Sequence, residues 1–122
     1  MPAKILIVED EAIVALDLVH RLRSLGYIVS GSTATGEQAI QSAEDVRPDL
    51  VLMDIRLGGD MNGIEAAAYL RDRFDLPIIF VTAYSDNDVL KQALMVGASR
   101  FLLKPFEDEE LRDAVESILG KG

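Results

Sequence analysis

Four places in this sequence set a chemically capable side chain directly at the end of an apolar run. Glu9-Asp10 follow "KILIV", Asp54 ends "LVLMD", Thr82 follows "PIIFV", and Lys104-Pro105 close "RFLLK". Carboxylates, one hydroxyl and one ammonium are the parts that phosphoryl chemistry uses. A hard cation such as Mg²⁺ takes oxygen ligands and keeps several waters, so two carboxylates and a backbone carbonyl suffice to hold it. The cation and a lysine neutralise a phosphoryl group, to which a hydroxyl donates a hydrogen bond. Positioning and neutralisation are most of what phosphoryl transfer asks of a protein. An aspartate carboxylate can itself be the nucleophile and become an aspartyl phosphate. Burying a lone carboxylate is expensive, so Asp54 at the end of a core run reads as a residue delivered to such a site.

The elements that must bring these residues together are five short β-rich runs: "KILIV" (4–8), "YIVSGS" (27–32), "LVLMD" (50–54), "PIIFV" (77–81) and "RFLLK" (100–104). The first, third and fourth are apolar throughout, as strands of a parallel sheet buried on both faces are. Helical stripes lie between and after them. Val14, Leu18, Leu22 and Leu25 precede Gly26; Thr35 with Gln38 forms a capping-box pattern for a second helix. Ile64, Ala67, Leu70 and Phe74 make a third stripe, Val89, Ala93 and Val96 before Gly97 a fourth, and Leu111, Ala114, Val115 and Ile118 a fifth. Five strand–helix alternations predict right-handed crossovers and one doubly wound parallel sheet, an α/β domain spanning residues 1–122. Its ligand site is expected beyond the carboxyl ends of the strands, where the winding reverses. The chemically capable residues all fall on that edge.

Composition narrows the function classes. The 122 residues carry 12 basic and 21 acidic side chains, a net charge of −9, which opposes direct binding to nucleic acid or anionic lipid. Without cysteine there is neither a disulfide framework nor a thiolate metal site. Apolar runs of about five residues are far short of the roughly 20 that span a bilayer. The start "MPAKILIVEDE" turns acidic too early for a signal peptide, and a cytoplasmic location is expected.

Taken together, the acidic pair Glu9-Asp10, "LVLMD", "VTA" with Thr82 and "FLLKPF" resemble the receiver domain of two-component response regulators, also found in hybrid histidine kinases. The resemblance covers the whole chain. It implies a flavodoxin-like (βα)5 fold with strand order 2-1-3-4-5. By this resemblance Asp54 accepts a phosphoryl group from the phosphohistidine of a histidine kinase or phosphotransfer protein. Asp10, Asp54 and the Arg56 carbonyl bind Mg²⁺, with Glu9 assisting through water. Thr82 and Lys104 contact the phosphoryl group, Phe101 is the aromatic that reports phosphorylation, and the Lys104–Pro105 peptide is cis. The output face is the fourth helix, fifth strand and fifth helix. The implied function is a phosphorylation-controlled switch that catalyses only its own phosphorylation and dephosphorylation. The alternative is a receiver-like binding module that works without phosphorylation.

Two departures from the family pattern stand out. Gly58-Gly59 occupies the loop after the acceptor where a proline is common, and Gly63 lies nine positions past Asp54 rather than eight, implying a loop one residue longer. Arg56 and Tyr84, both large, sit two positions past the acceptor and the threonine, where they would influence the access of water. Competing motifs fail. Gly58 and Gly63 are not followed by the Lys-Ser/Thr of a phosphate loop. "TATGEQ" (33–38) follows the second strand rather than the first, against a flavin site. A haloacid-dehalogenase-type phosphatase needs an aspartate where Arg56 stands.

A docking surface is expected on the first helix. Ile13, Leu16, Asp17 and His20 lie opposite its core stripe, and the resemblance adds Pro105 and Phe106 from the loop after the fifth strand. His20, the only histidine, points away from the core and cannot build a histidine metal site alone.

Overall fold

The computed structural model describes residues 2–57, 60–82, 87–95, 97 and 100–120. Five strands alternate with five helices: β1 (Lys4–Val8), α1 (Ala12–Ser24), β2 (Ile28–Thr33), α2 (Gly36–Val46), β3 (Leu50–Asp54), α3 (Gly63–Phe74), β4 (Ile78–Thr82), α4 (Asn87–Met95), β5 (Arg100–Leu103) and α5 (Asp108–Leu119). All strand pairs are parallel and their order is β2-β1-β3-β4-β5, as expected. Thr82 is the last residue of β4, and Lys104 lies just past β5.

The apolar strands explain the two layers. Side chains alternate between faces with period two, and both faces are covered. Ile5, Ile7, Leu50, Leu52, Ile79 and Val81 pack with Leu18 and Leu22 of α1 and with Leu111, Ala114 and Val115 of α5. Leu6, Val8, Val51, Met53, Ile78 and Phe80 face Ala39 and Ala43 of α2, Ala66, Ala67 and Leu70 of α3, and Ala93 of α4. Alanines dominate the helical side of this second layer, so α2 and α3 lie close to the sheet. Ala15 joins the buried stripe of α1, while Val14 and Leu25 only flank it. Of the expected fourth stripe, the side chains of Val89 and Val96 lie outside the described residues.

The helix starts hold local surprises. Thr35 accepts from the Gln38 amide at 3.1 Å, but the Gln38 side chain accepts from Ala34 rather than from Thr35, so the expected box on α2 is shifted by one residue. A reciprocal box is on α3: Asn62 accepts from the Glu65 amide at 2.9 Å, and Glu65 accepts from the Asn62 amide at 3.0 Å. That box ties α3 down at its first turn and holds the helix start close to the end of β3.

The closeness is extreme at Gly63. Its amide donates to the Ile55 carbonyl at 2.9 Å. A β-carbon there would stand 2.1 Å from the Asp54 carbonyl oxygen, a separation no side chain tolerates. The glycine nine positions past Asp54 is therefore the residue that lets α3 begin against the end of β3. Gly58-Gly59, the other part of the departure in this loop, lies outside the described residues.

Gly63→Ala is expected to lower stability by about 3 kcal/mol, the upper range for overpacking a tight site. Gly26→Ala is the control. Gly26 adopts φ +95° with open space where a β-carbon would stand, so alanine there costs only backbone strain of about 1 kcal/mol. Chemical denaturation measures both, and equal losses would reject the steric account of Gly63.

Candidate functional site at the carboxyl edge of the sheet

The central strands converge on one acidic centre. β1 delivers Glu9 and Asp10, of which Glu9 is 3% exposed and Asp10 lies open to solvent. β3 ends in Asp54, 9% exposed, and β4 ends in Thr82, also buried. One carboxylate oxygen from each of Glu9, Asp10 and Asp54 lies within 4.8 Å of the others. A hard divalent cation is suited to such a set, being small, oxygen-seeking and able to keep waters in its remaining positions. The segment after β5 supplies the compensating cation. Lys104 Nζ lies 2.7 Å from Glu9 Oε1 and 3.8 Å from Asp54 Oδ2. The Lys104 amide donates to the Thr82 carbonyl at 2.8 Å, and the Lys104–Pro105 peptide is cis.

Backbone donors complete the arrangement. The Arg56 amide donates to Asp54 Oδ1 at 3.1 Å, and the Glu11 amide donates to Glu9 Oε2 at 3.2 Å. Glu9 is thus held between an ammonium and an amide, in direct contact with Lys104. Burial pulls the Glu9 carboxyl upward, but its bonds to Lys104, Asp54 and Glu11 outweigh that and leave it below the usual range. Asp54 goes the other way. Burial, then the adjoining Glu9, push its carboxyl up to about 7, against the opposing pull of the Arg56 amide and Lys104. Two carboxyl groups this close titrate as a pair, with the proton favouring Asp54.

The remaining expected residues fall in several places. Phe101 is half-buried on β5 and stacks on Phe80 with ring centroids 5.9 Å apart. Tyr84 lies outside the described residues. On α1, Ile13 is 84% and Leu16 is 58% exposed, and Asp17 and His20 are exposed with them. Leu16 also borders a groove of about 330 Å³ that runs to Glu9 and Asp10. Pro105 is exposed, but Phe106 is a correction. It is only 9% exposed, packed among Leu18, Leu102 and Leu111 in the layer under α1 and α5. Aromatic surface so close to a core is drawn in, and its ring is covered by the Arg21 guanidinium 4.5 Å away.

Arg21 was not among the expected site residues. Its side chain reaches the Phe106 carbonyl at 2.6 Å and Asp108 at 2.5 Å, joining α1 to the loop after Lys104. Nothing in the helical stripe of α1 signals it, because its partners lie 85 and 87 positions along the chain.

The response regulator receiver domain family matches residues 5–116 of this chain. Among curated relatives, the transcriptional regulatory protein PdtaR of Mycobacterium tuberculosis is 38% identical over 116 residues, covering 95% of this chain and 56% of that protein. The chain thus spans little more than half the length of this relative. Among solved structures, the signal receiver domain of a modulated diguanylate cyclase from Desulfovibrio desulfuricans is 39% identical with a TM-score of 0.93, covering 98% of this chain and 94% of that one. The receiver domain of a sensor histidine kinase from Pseudomonas aeruginosa is 35% identical with a TM-score of 0.88, covering 99% and 100%. That structure has a magnesium ion coordinated in its active-site cleft.

The upward shift of Asp54 makes this site a source of instability at neutral pH. An unfolded aspartate ionises near 3.8, whereas Asp54 holds its proton to about 7 in the folded chain. Between these values the folded state binds more protons, so stability falls as pH rises from about 4 to 7. Asp54→Asn is expected to be more stable than the wild type by about 2 kcal/mol at pH 8 in chelator, with the gain vanishing near pH 4. Denaturation midpoints across that range test it, and a gain independent of pH would reject the carboxyl as its source.

Proposed function

The chain belongs to the response regulator receiver domain family, and from that premise we propose that it is a switch in which Asp54 accepts a phosphoryl group from the phosphohistidine of a histidine kinase or phosphotransfer protein. The observation that carries this reading is the union at one sheet edge of a buried acceptor carboxylate, an acidic cluster within 4.8 Å and a lysine 3.8 Å from the acceptor. Asp10, Asp54 and the Arg56 carbonyl are the groups that would hold Mg²⁺, which supplies positive charge against the phosphoryl oxygens. Glu9 completes the cluster from its buried place beside Lys104.

The chain's own residues have separable tasks. An Asp54 carboxylate oxygen attacks phosphorus, the P–N bond of the phosphohistidine breaks, and the leaving imidazole keeps the bonding electrons and its proton. A protonated Asp54 cannot attack; burial and the Glu9 charge favour that protonated form, so the cation that Asp10 and the Arg56 carbonyl would help to hold is what would favour the ionised acceptor. Lys104 pairs with a phosphoryl oxygen by turning its ammonium from Glu9. The Thr82 hydroxyl donates to another oxygen. In this reading Arg56 and Tyr84 limit how water reaches the acyl phosphate, and hydrolysis returns Asp54 to its starting state. The protein therefore turns over only its own phosphate, unlike a hydrolase acting on free esters.

The exposed apolar side chains Leu94 and Met95 of α4 and Leu103 of β5 support an output face on α4, β5 and α5, as the resemblance implies. The exposed Ile13 and Leu16, beside the groove that leads to Asp10, support kinase docking on α1. With Phe106 buried, the loop after β5 would contribute Pro105 and main-chain atoms to that surface. The acidic composition argues that these residues do not grip nucleic acid themselves. A longer protein of the kind that PdtaR's name describes could still act on transcription through another part. Among the described residues no helix is long and apolar enough to cross a membrane, which is consistent with the expected cytoplasmic location.

Incubation with acetyl phosphate and Mg²⁺ is expected to add one phosphoryl group, detected by mass spectrometry and mapped to Asp54. Chelation or Asp10→Ala should abolish labelling while circular dichroism stays unchanged, and Asp54→Asn should remain unlabelled. Modification at a serine or at His20 would overturn the assignment. A folded chain that takes no phosphate at all would instead favour the phosphorylation-independent binding module.

Docking has its own test. Ile13→Asp is expected to slow phosphotransfer from a cognate kinase at least ten-fold, since a charge placed in a contact core is costly to desolvate. Acetyl-phosphate labelling should stay within about two-fold of wild type. A parallel fall in both rates would remove α1 as the docking surface.

A further inference from the structure

The loop that carries Lys104 is held from two sides. Upstream, the Lys104 amide donates to the Thr82 carbonyl at 2.8 Å. Downstream, Arg21 of α1 donates to the Phe106 carbonyl at 2.6 Å, bonds Asp108 at 2.5 Å and lies over the Phe106 ring at 4.5 Å. Asp17, one turn earlier on α1, stands 3.7 Å from the same guanidinium and helps to orient it. A planar cation with several fixed donors suits three simultaneous contacts; a lysine has no plane to lay on the ring and no fork to divide between carbonyl and carboxylate. Beside this anchor lies a cleft of about 200 Å³, lined by Val14, Asp17, Leu18, Arg21, Lys104, Pro105 and Phe106.

From this geometry we propose that Arg21 is a positioning residue for Lys104. It fixes the main chain two residues beyond the lysine and so sets where the ammonium stands relative to Glu9 and Asp54. The proposal rests on the reading of Asp54 as a phosphoacceptor and adds a residue from α1 to its machinery. Lys104 Nζ is 2.7 Å from Glu9 but 3.8 Å from Asp54. A shift of about 1 Å in its backbone is therefore comparable to the difference between a direct and a distant contact, and such misplacement costs phosphoryl transfer up to about a hundred-fold.

The test is a double-mutant cycle on labelling by acetyl phosphate, with the folded state checked by thermal denaturation. Arg21→Met keeps the aliphatic stem and removes the fork. It is expected to slow labelling of Asp54 about ten-fold. In a Lys104→Ala background the same substitution should cause no further slowing, because Arg21 acts only through the lysine. Slowing of equal size in both backgrounds, or none in either, overturns the proposal. Should Arg21→Met fail to fold, Asp108→Asn weakens one arm of the anchor and should give a smaller slowing with the same dependence on Lys104. A second readout needs no phosphorylation. The ¹⁵N-labelled ammonium of Lys104, held by Glu9, should give a slowly exchanging signal in the wild type that is lost in Arg21→Met. An unchanged signal overturns the proposal even if labelling slows. If wild-type Asp54 takes no phosphate, the phosphoacceptor reading falls, and this signal alone decides whether Arg21 holds Lys104.

Discussion

The constraint on which the rest depends is electrostatic. Glu9 and Asp54 are carboxylates at the rim of an apolar sheet, almost withdrawn from water, and Lys104, from the loop after β5, offsets them. A buried charge without a partner would be neutralised or would unfold its surroundings. The pair settles this by division: Glu9 takes the direct ion pair and stays ionised, while Asp54 is left protonated more readily than any ordinary aspartate. A group that is uncomfortable as an anion is relieved by a cation, and in the proposed switch that relief would prepare the place of a phosphoryl group. The sheet exists in this form to keep that tension at a fixed point. Both of its faces are filled with aliphatic side chains, so no strand can slide to relieve the rim.

Much of this was legible in the sequence because strand ends are legible. An apolar run that stops at Asp54 or before Glu9 states where its strand leaves the core, and the alternation of elements dictates that these ends share one edge. The receiver resemblance then supplied the strand order and the roles, and the topology agrees with it. What the sequence hid are interactions whose partners lie far apart or whose choice depends on fine geometry. Arg21 reads as a polar residue of α1 until Phe106 and Asp108 arrive beside it. Phe106 reads as an exposed aromatic after a proline until Arg21 covers it. Glu9 reads as a helper of the metal, yet it spends both oxygens on Lys104 and the Glu11 amide. The box at Asn62 and Glu65 had a local signal and could have been found, whereas that of Thr35 and Gln38 was found but joined a different amide.

The two layers divide the molecule's work. α1 and α5 share one face of the sheet, and on this side lie Ile13, Leu16 and the anchor that reaches from Arg21 to the loop after Lys104. α2, α3 and α4 share the other, where Phe101 stacks on Phe80. Lys104 follows β5 directly and lies between these sides, so a change in its partner is felt in both. In the proposed switch, contact with a donor on α1 and a response near Phe101 would be joined through this side chain.

The bond between the Gly63 amide and the Ile55 carbonyl closes the β3–α3 connection at its neck. A loop whose two ends are fastened to each other is mechanically insulated from the strand that bears it. Adding residues to it lengthens the excursion without pulling on Asp54, and for a flexible loop each doubling in length costs only about 0.6 kcal/mol of closure entropy. Leu57 and Met61 pack against the core layer on either side of Gly58-Gly59, so added sequence has its place between these two anchors, where the neck still holds the start of α3 in register with the end of β3.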